Sequence, residues 1–206
     1  EAYTKVAGID FTRKYFPKLF IFLGEFEYSN NGAKKLGTAE GGKKIRLLGV
    51  NYVDELKKSR AGLDEYFLKT IHHEFVHILN QTKDYPRDFD KITPNGYVND
   101  AWSSDERLEG YLPRGFITDY SQKESREDFA EMVSTYIVST PEKWEAMMKQ
   151  AEGTDKSGRE AIEKKLAICK LYYKENFGID LDKVRDAVIE RENDVVNGAY
   201  DLRSLN

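Results

Sequence analysis

The chain has 206 residues, of which 40% are hydrophobic and 33% are charged, a composition typical of a folded globular domain. The formal net charge is −4, which argues against a nucleic-acid partner. A single cysteine, Cys169, excludes an internal disulfide framework and a zinc site built from several thiolates. It lies in an apolar helical stripe, so we predict a buried side chain there. No apolar run reaches the roughly 18 residues that a membrane span needs.

Residues 1–60 are predicted to form strands and turns. A stretch rich in β-forming residues at 18–26 and a second one at 43–53 are the predicted strands. Asn30-Asn31-Gly32 is a strong turn signal between them, and the glycines of residues 37–42 predict a flexible approach to the second strand.

The rest of the chain is predicted to be mainly helical. Apolar residues at helical spacing predict a long helix over residues 62–81, with Asp64 as its N-cap. Three prolines and three glycines predict an irregular connection over residues 82–120, and connections of this length are often functional. Further helices are predicted over residues 125–139, 142–150, 159–176 and 181–196. Gly178 is the predicted stop signal between the last two of them.

These elements predict an α+β fold with a small N-terminal mixed sheet and a helical C-terminal part. We expect one domain over residues 1–206, with an N-terminal lobe at about 1–81 and a C-terminal lobe at about 82–206. The two lobes are expected to meet at the first long helix.

Only three histidines occur, and all of them lie within six residues on that helix. His73-Glu74-x-x-His77 places two imidazoles one turn apart, where both can reach one metal ion, and places Glu74 where it can act as general base on a metal-bound water. With Ile71 at 0° on a helical wheel, the apolar residues lie within about 60°, while His73 and His77 lie at about 200° and 240°. His72 lies near 100°, which makes it a poor partner for the pair.

A catalytic zinc site usually has three protein ligands, and no further histidine is available. The third ligand must therefore be a carboxylate. On the helix predicted over 125–139, Glu127 and Glu131 lie four residues apart, opposite an apolar face. One of them can bind the metal, and the other can orient a ligand histidine.

The combination of His73-Glu74-x-x-His77 with Glu127 resembles the gluzincin class of zinc peptidases. The block Glu127-Asp128-Phe129-Ala130-Glu131 is similar to lethal-factor-like metalloproteases. That resemblance implies a zincin-like fold and one catalytic Zn²⁺ held by His73, His77 and Glu127. It also implies a tyrosine seven residues before the ligand glutamate, here Tyr120, that assists the transition state. Glu131 is the candidate for orienting a histidine.

A second resemblance covers residues 36–45, which are similar to the substrate import-associated zinc metallohydrolase lipoproteins. It implies a periplasmic or outer-membrane lipoprotein of Gram-negative bacteria, with outer-membrane import proteins as partners. We expect the lipidated cysteine to have lain upstream of Glu1, so the only membrane contact would be through a removed lipid anchor.

The expected activity is that of a zinc-dependent metalloendopeptidase acting on a peptide or protein substrate. We expect the strand at residues 44–51 to be the sheet edge along which a peptide is bound. The connection 82–120 is the expected opposite wall of the cleft, with Tyr97, Trp102 and Tyr111 as candidate lining residues. The alternatives are a non-catalytic zinc-containing accessory that captures a peptide or partner for import, and a zinc amidase acting on a non-peptide substrate. An intact Glu74 favours an enzyme, since zinc binding alone would not need that base.

Overall fold

The computed structural model describes residues 1–29, 32–40, 43–103 and 110–199. It shows an α+β fold, as predicted. The longer helices are α1 (Ala2–Tyr15), α4 (Lys69–Thr82), α5 (Ser125–Val138), α6 (Pro141–Ala151), α7 (Ser157–Phe177) and α8 (Leu181–Val196), and the short ones are α2 (Val53–Leu56) and α3 (Arg60–Leu63). The strands are β1 (Leu19–Phe22), β2 (Glu27–Tyr28), β3 (Lys34–Lys35), β4 (Gly37–Glu40) and β5 (Lys44–Leu47).

The main sheet has the strand order β1-β5-β4, with β1 parallel and β4 antiparallel to β5. The predicted edge at residues 44–51 is therefore wrong, because β5 is the central strand. Among the described strands, β4 pairs with β5 alone and forms the edge beside α4. Gly37 permits this close approach, since a Cβ there would lie 2.5 Å from the Thr70 side chain.

The predicted strand at 43–53 is longer than the observed β5. Gly49 has a positive φ of 75° and begins a 3-10 turn at Val50–Tyr52, which ends the extended backbone. A short antiparallel pair of β2 and β3 flanks the predicted turn, whose residues Asn30 and Asn31 lie outside the described residues.

Helix α1 contradicts the prediction of strands and turns over all of residues 1–60. Its periodic pattern is interrupted at Gly8, whose φ of 81° kinks the helix and shifts the register of the apolar residues. Tyr3 and Phe11 are nevertheless both buried against Phe75 of α4, with ring centroids 5.0 and 6.2 Å away. Tertiary packing behind α4 therefore stabilises a helix that local pattern did not reveal.

The approach to α4 is helical from residue 60 onward, so Asp64 is not an N-cap as predicted. Ser59 caps α3 by accepting a hydrogen bond from Gly62 N, and a π-helical turn, Asp64–Leu68, joins α3 to α4. Asp64 is instead buried beside Glu192 of α8, and this burial raises the pKa of Asp64. Arg60 Nε donates to Glu192 at 2.9 Å. This cluster fixes the start of α4 against α8.

The C-terminal helices form much of the core around α5. The helix predicted over 125–139 is confirmed, and Gly178 ends α7 in the left-handed conformation, with φ 67°. Cys169 is fully buried, as predicted. No helix within the described residues is both long and apolar enough to cross a membrane. The division into two lobes stays a prediction.

A buried ion pair fixes the start of α5. Lys165 of α7 donates to Asp128 at 2.6 Å and to the carbonyl of Gly115 at 2.8 Å, and both charged side chains are fully buried. Tyr97 donates a further hydrogen bond to Asp128 at 3.0 Å. Burial raises the pKa of Asp128 to about 6 against the pull of Lys165. Because Asp128 directly follows Glu127, this pair restrains the turn of α5 that carries the predicted third metal ligand.

Replacing one partner of this pair should be costly. Lys165→Met leaves a buried carboxylate without its cation, and we expect a loss of about 3 kcal/mol in the free energy of unfolding, measured by urea denaturation. The exposed Lys164→Met should change it by less than about 0.5 kcal/mol. Equal stabilities of the two variants would contradict this account of the pair.

The Asp64–Glu192 contact predicts a pH dependence of stability. Burial and the neighbouring Asp64 raise the pKa of Glu192 to about 8, whereas an unfolded glutamate titrates near pH ~4.3. The folded protein thus holds a proton that the unfolded chain releases. The stability from this proton is fully present below about pH 4 and is lost as pH rises to about 8. We expect the free energy of unfolding to fall more steeply between pH 5 and pH 8 in the wild type than in Glu192→Gln. Parallel profiles would refute the raised pKa of Glu192.

Candidate metal centre

The packing of α5 against α4 brings the predicted ligands together. His73 and His77 lie one turn apart on α4, and Glu127 lies in the first turn of α5. His73 Nε2 and His77 Nε2 are 3.0 Å apart, and each lies 3.1 Å from Glu127 Oε2. Glu127 lies 54 residues after His73 in the sequence, yet the three side chains converge on one point.

This donor set fits a zinc ion. Two imidazole nitrogens and one carboxylate oxygen are a known catalytic zinc set, and bonds of about 2.0–2.1 Å need ligand atoms roughly 3–3.5 Å apart. The three atoms meet that requirement without any rearrangement of the backbone. The group is half-buried to buried, so a bound ion would keep a side open to the cleft.

The histidine and glutamate side chains of the group shift one another's pKa values. Burial opposes protonation of His73, but hydrogen bonds to Glu127 and Glu131 raise its pKa to about 10. Burial likewise opposes charging of Glu127, yet the two histidines hold its pKa far below the ordinary value. Because histidine and carboxylate ligands bind a metal in their deprotonated forms, we expect the affinity for zinc to fall as pH falls.

Glu131 lies directly behind His73. Its Oε1 is 2.8 Å from His73 Nδ1, while its Oε2 is 2.7 Å from Lys69 Nζ and accepts a 2.6 Å hydrogen bond from the hydroxyl of Thr118. Burial would raise the pKa of Glu131, but Lys69 and His73 hold it well below the ordinary value. The carboxylate is thus charged and fixed, as a group that orients a ligand imidazole must be.

Glu74 and Tyr120 line the same cleft. Among the described residues, none donates a hydrogen bond to the Glu74 carboxylate, which is available to a water molecule. The Tyr120 ring lies 6.0 Å from the ring of His73 and 4.9 Å from that of Trp102. Burial and nearby Glu127 raise the pKa of Tyr120 well above its ordinary value, so its hydroxyl keeps its proton.

The cleft has a volume of about 590 Å³. One wall is the edge strand β4 with the strand β3, and the floor is α4. Of the three aromatic residues expected on the opposite wall, Trp102 lines the cleft. Tyr97 and Tyr111 do not: Tyr97 packs on Phe116 and binds Asp128 instead.

His72 lies outside the cleft, as its helical angle predicted. It packs on Tyr3 with ring centroids 5.8 Å apart, and burial lowers its pKa to about 4. It is therefore a neutral packing residue behind α4.

Three polar residues of the site were not identified from the sequence: Lys69, Thr118 and Lys123. Lys69 lies four residues before His73 and shares its helical face, so the spacing that located the histidines could have located it. Thr118 and Lys123 lie in the irregular segment before α5, where no periodic pattern exists to place them. Lys123 Nζ lies 3.5 Å from Glu127 Oε1 and 3.3 Å from the Tyr120 hydroxyl.

Comparison with known proteins agrees with this geometry. A family model described as "putative zinc-binding metallo-peptidase" matches residues 1–182. Among solved structures, the chain is similar to a crystal structure of a putative zinc-binding metallo-peptidase from Bacteroides caccae ATCC 43185, with 34% sequence identity and a TM-score of 0.81. The alignment covers 100% of this chain and 75% of that one. No curated protein matches the chain.

The ligand assignment predicts that replacing the two glutamates of α5 by alanine lowers the affinity for zinc by different amounts. Glu127→Ala removes a ligand atom and should abolish stoichiometric zinc binding, measured by competition with a chromogenic chelator. Glu131→Ala should weaken binding about 10- to 100-fold, because it only orients His73. Glu124→Ala, an exposed position at the same helix end, serves as the control. Zinc lost in Glu131→Ala but retained in Glu127→Ala would reverse the assignment.

Proposed function

Because the chain belongs to the zinc-binding metallo-peptidase family, we propose that it is a zinc-dependent endopeptidase of the gluzincin type, with Glu74 as general base. The observation that carries this proposal is the position of Glu74 in the cleft beside the His73–His77–Glu127 group. A binding module would need the metal ligands but not this carboxylate.

The bound zinc would supply Lewis acidity and lower the pKa of a coordinated water towards neutrality. Glu74 would accept the proton that the attacking water gives up as its oxygen bonds to the peptide carbonyl carbon. When the C–N bond breaks, Glu74 returns the proton to the leaving amine. Glu131 holds His73 in one orientation throughout.

Tyr120 is proposed to stabilise the oxygen of the attacked carbonyl. Its neutral hydroxyl can donate a hydrogen bond that strengthens as negative charge develops on that oxygen. The packing of Trp102 against its ring restrains the hydroxyl at the cleft wall.

The substrate is proposed to be a peptide bound in extended form along β4. Among the described strands, this strand pairs on one side only and borders the cleft, so its other side offers backbone groups to a peptide. Backbone recognition of this kind fits a peptide better than a non-peptide amide.

A cell-envelope location and a role beside outer-membrane import proteins are further proposals. Their support is the resemblance of residues 36–45 to import-associated lipoproteins, a segment that includes β4. Fractionation of the native host, followed by detection of the full-length protein, tests them; recovery in the cytoplasm would overturn both.

The general base can be tested with a diverse peptide library. We expect zinc-loaded wild type to cleave internal peptide bonds and Glu74→Gln to lose about 10²- to 10⁴-fold in rate while still binding zinc. Glu124→Gln should cleave as wild type does. Equal cleavage by Glu74→Gln would indicate another base, and no cleavage by wild type would favour a binding role.

A further inference from the structure

Lys123 contacts two site residues at once, and no step of the proposed hydrolysis uses it. It lies in the turn before α5, with its side chain about three-tenths exposed. Its ammonium group reaches Glu127 on one side and Tyr120 on the other, at 3.5 and 3.3 Å. It also lies 5.3 Å from the centre of the Tyr120 ring. The long, flexible side chain of Lys123 is thus held between two residues: the carboxylate of Glu127, and Tyr120 through both its hydroxyl and its ring.

The two carboxylate oxygens of Glu127 face different partners. Oε2 lies 3.1 Å from both histidine nitrogens, whereas Oε1 faces the ammonium of Lys123. A carboxylate can bind a metal through one oxygen or both. With Oε1 held by a cation, only Oε2 remains directed at the histidine pair.

The contact with Tyr120 fixes the direction of a hydrogen bond. An ammonium group has three donors and no acceptor, so the phenol oxygen must accept from Lys123. Its own proton then remains for donation, and the neighbouring acceptor is the carboxylate of Glu127, which lines the same cleft. The nearby cation also draws electron density from the phenol, which makes the hydroxyl a better donor.

We propose that Lys123 is a positioning residue that restrains Glu127 to one-oxygen ligation and orients the Tyr120 hydroxyl as a donor into the cleft. This inference rests on the proposed function, since both of its targets are residues of that site. One cation thereby couples the geometry of the metal ligand to that of the group that stabilises the carbonyl oxygen.

The test compares Lys123→Met with Lys123→Arg in the full chain. Lys123→Met keeps the length of the side chain but removes its charge, and Lys123→Arg keeps the charge. We expect Lys123→Met to weaken zinc binding about 10-fold, by chelator competition, and to lower kcat about 10- to 100-fold with KM nearly unchanged. Lys123→Arg should restore most of both losses. The exposed Lys149→Met controls for the loss of one positive charge.

Repeating the Lys123→Met substitution in a Tyr120→Phe protein separates the effect of Lys123 on Tyr120 from its effect on Glu127. If Lys123 acts on Tyr120, the fall in kcat caused by Lys123→Met should shrink in a Tyr120→Phe protein, while the loss of zinc affinity should persist. The absorption spectrum of the cobalt-substituted protein gives an independent readout of ligation. In Lys123→Met the spectrum should change to that of a cobalt ion with a higher coordination number. In Lys149→Met it should stay as in the wild type.

The outcomes distinguish this inference from the proposed function. Wild type that binds zinc and cleaves peptides, with Lys123→Met unchanged in affinity, spectrum and kcat, overturns the role of Lys123 alone. Wild type that binds zinc but cleaves no peptide overturns the proposed peptidase function. The zinc affinity and the cobalt spectrum of Lys123→Met then still test whether Lys123 acts on Glu127. Wild type that binds no zinc overturns both.

Discussion

The packing of α5 against α4 sets the distances on which the candidate site depends. The two histidines are fixed relative to each other by one turn of α4, but Glu127 reaches them only because α5 lies at the right height beside that helix. The same packing places Glu131 against the far nitrogen of His73. A shift of α5 by a single turn would move Glu127 by about 5.4 Å and so remove it from the position it holds between the two imidazoles.

That packing places three acidic side chains on the first two turns of α5, of which Asp128 and Glu131 are buried and Glu127 is partly buried, and each lies near a lysine. Glu127 faces Lys123 from the preceding turn, Asp128 faces Lys165 from α7, and Glu131 faces Lys69 from α4. Buried carboxylates without cations would be protonated or would destabilise the fold. Lys165 and Lys69 compensate the two buried carboxylates and so help to keep α5 in register. Glu131 stays charged because of Lys69 and His73, and Glu127 stays charged because of the two histidines.

The edge strand and the aromatic wall give this candidate metal centre a cleft. Gly37 lets β4 lie close to α4, and Trp102 with Tyr120 forms part of the opposite side. The helix predicted to have one apolar and one polar face is buried on nearly all sides, because the cleft residues are covered by neighbouring elements. The partial burial of these side chains strengthens the electrostatic interactions between them.

The sequence by itself determined which residues can do the chemistry. Helical spacing identified His73, Glu74 and His77, and the scarcity of histidine directed the search to the carboxylates of α5. Spacing alone left Glu127 and Glu131 as alternatives, and only the distances in the folded chain assign them to different sides of His73. Tertiary structure also decided the helical state of residues 2–15, the identity of the edge strand and the place of Lys123. Each of these depends on partners distant in the chain or on irregular backbone, for which local periodicity carries no information.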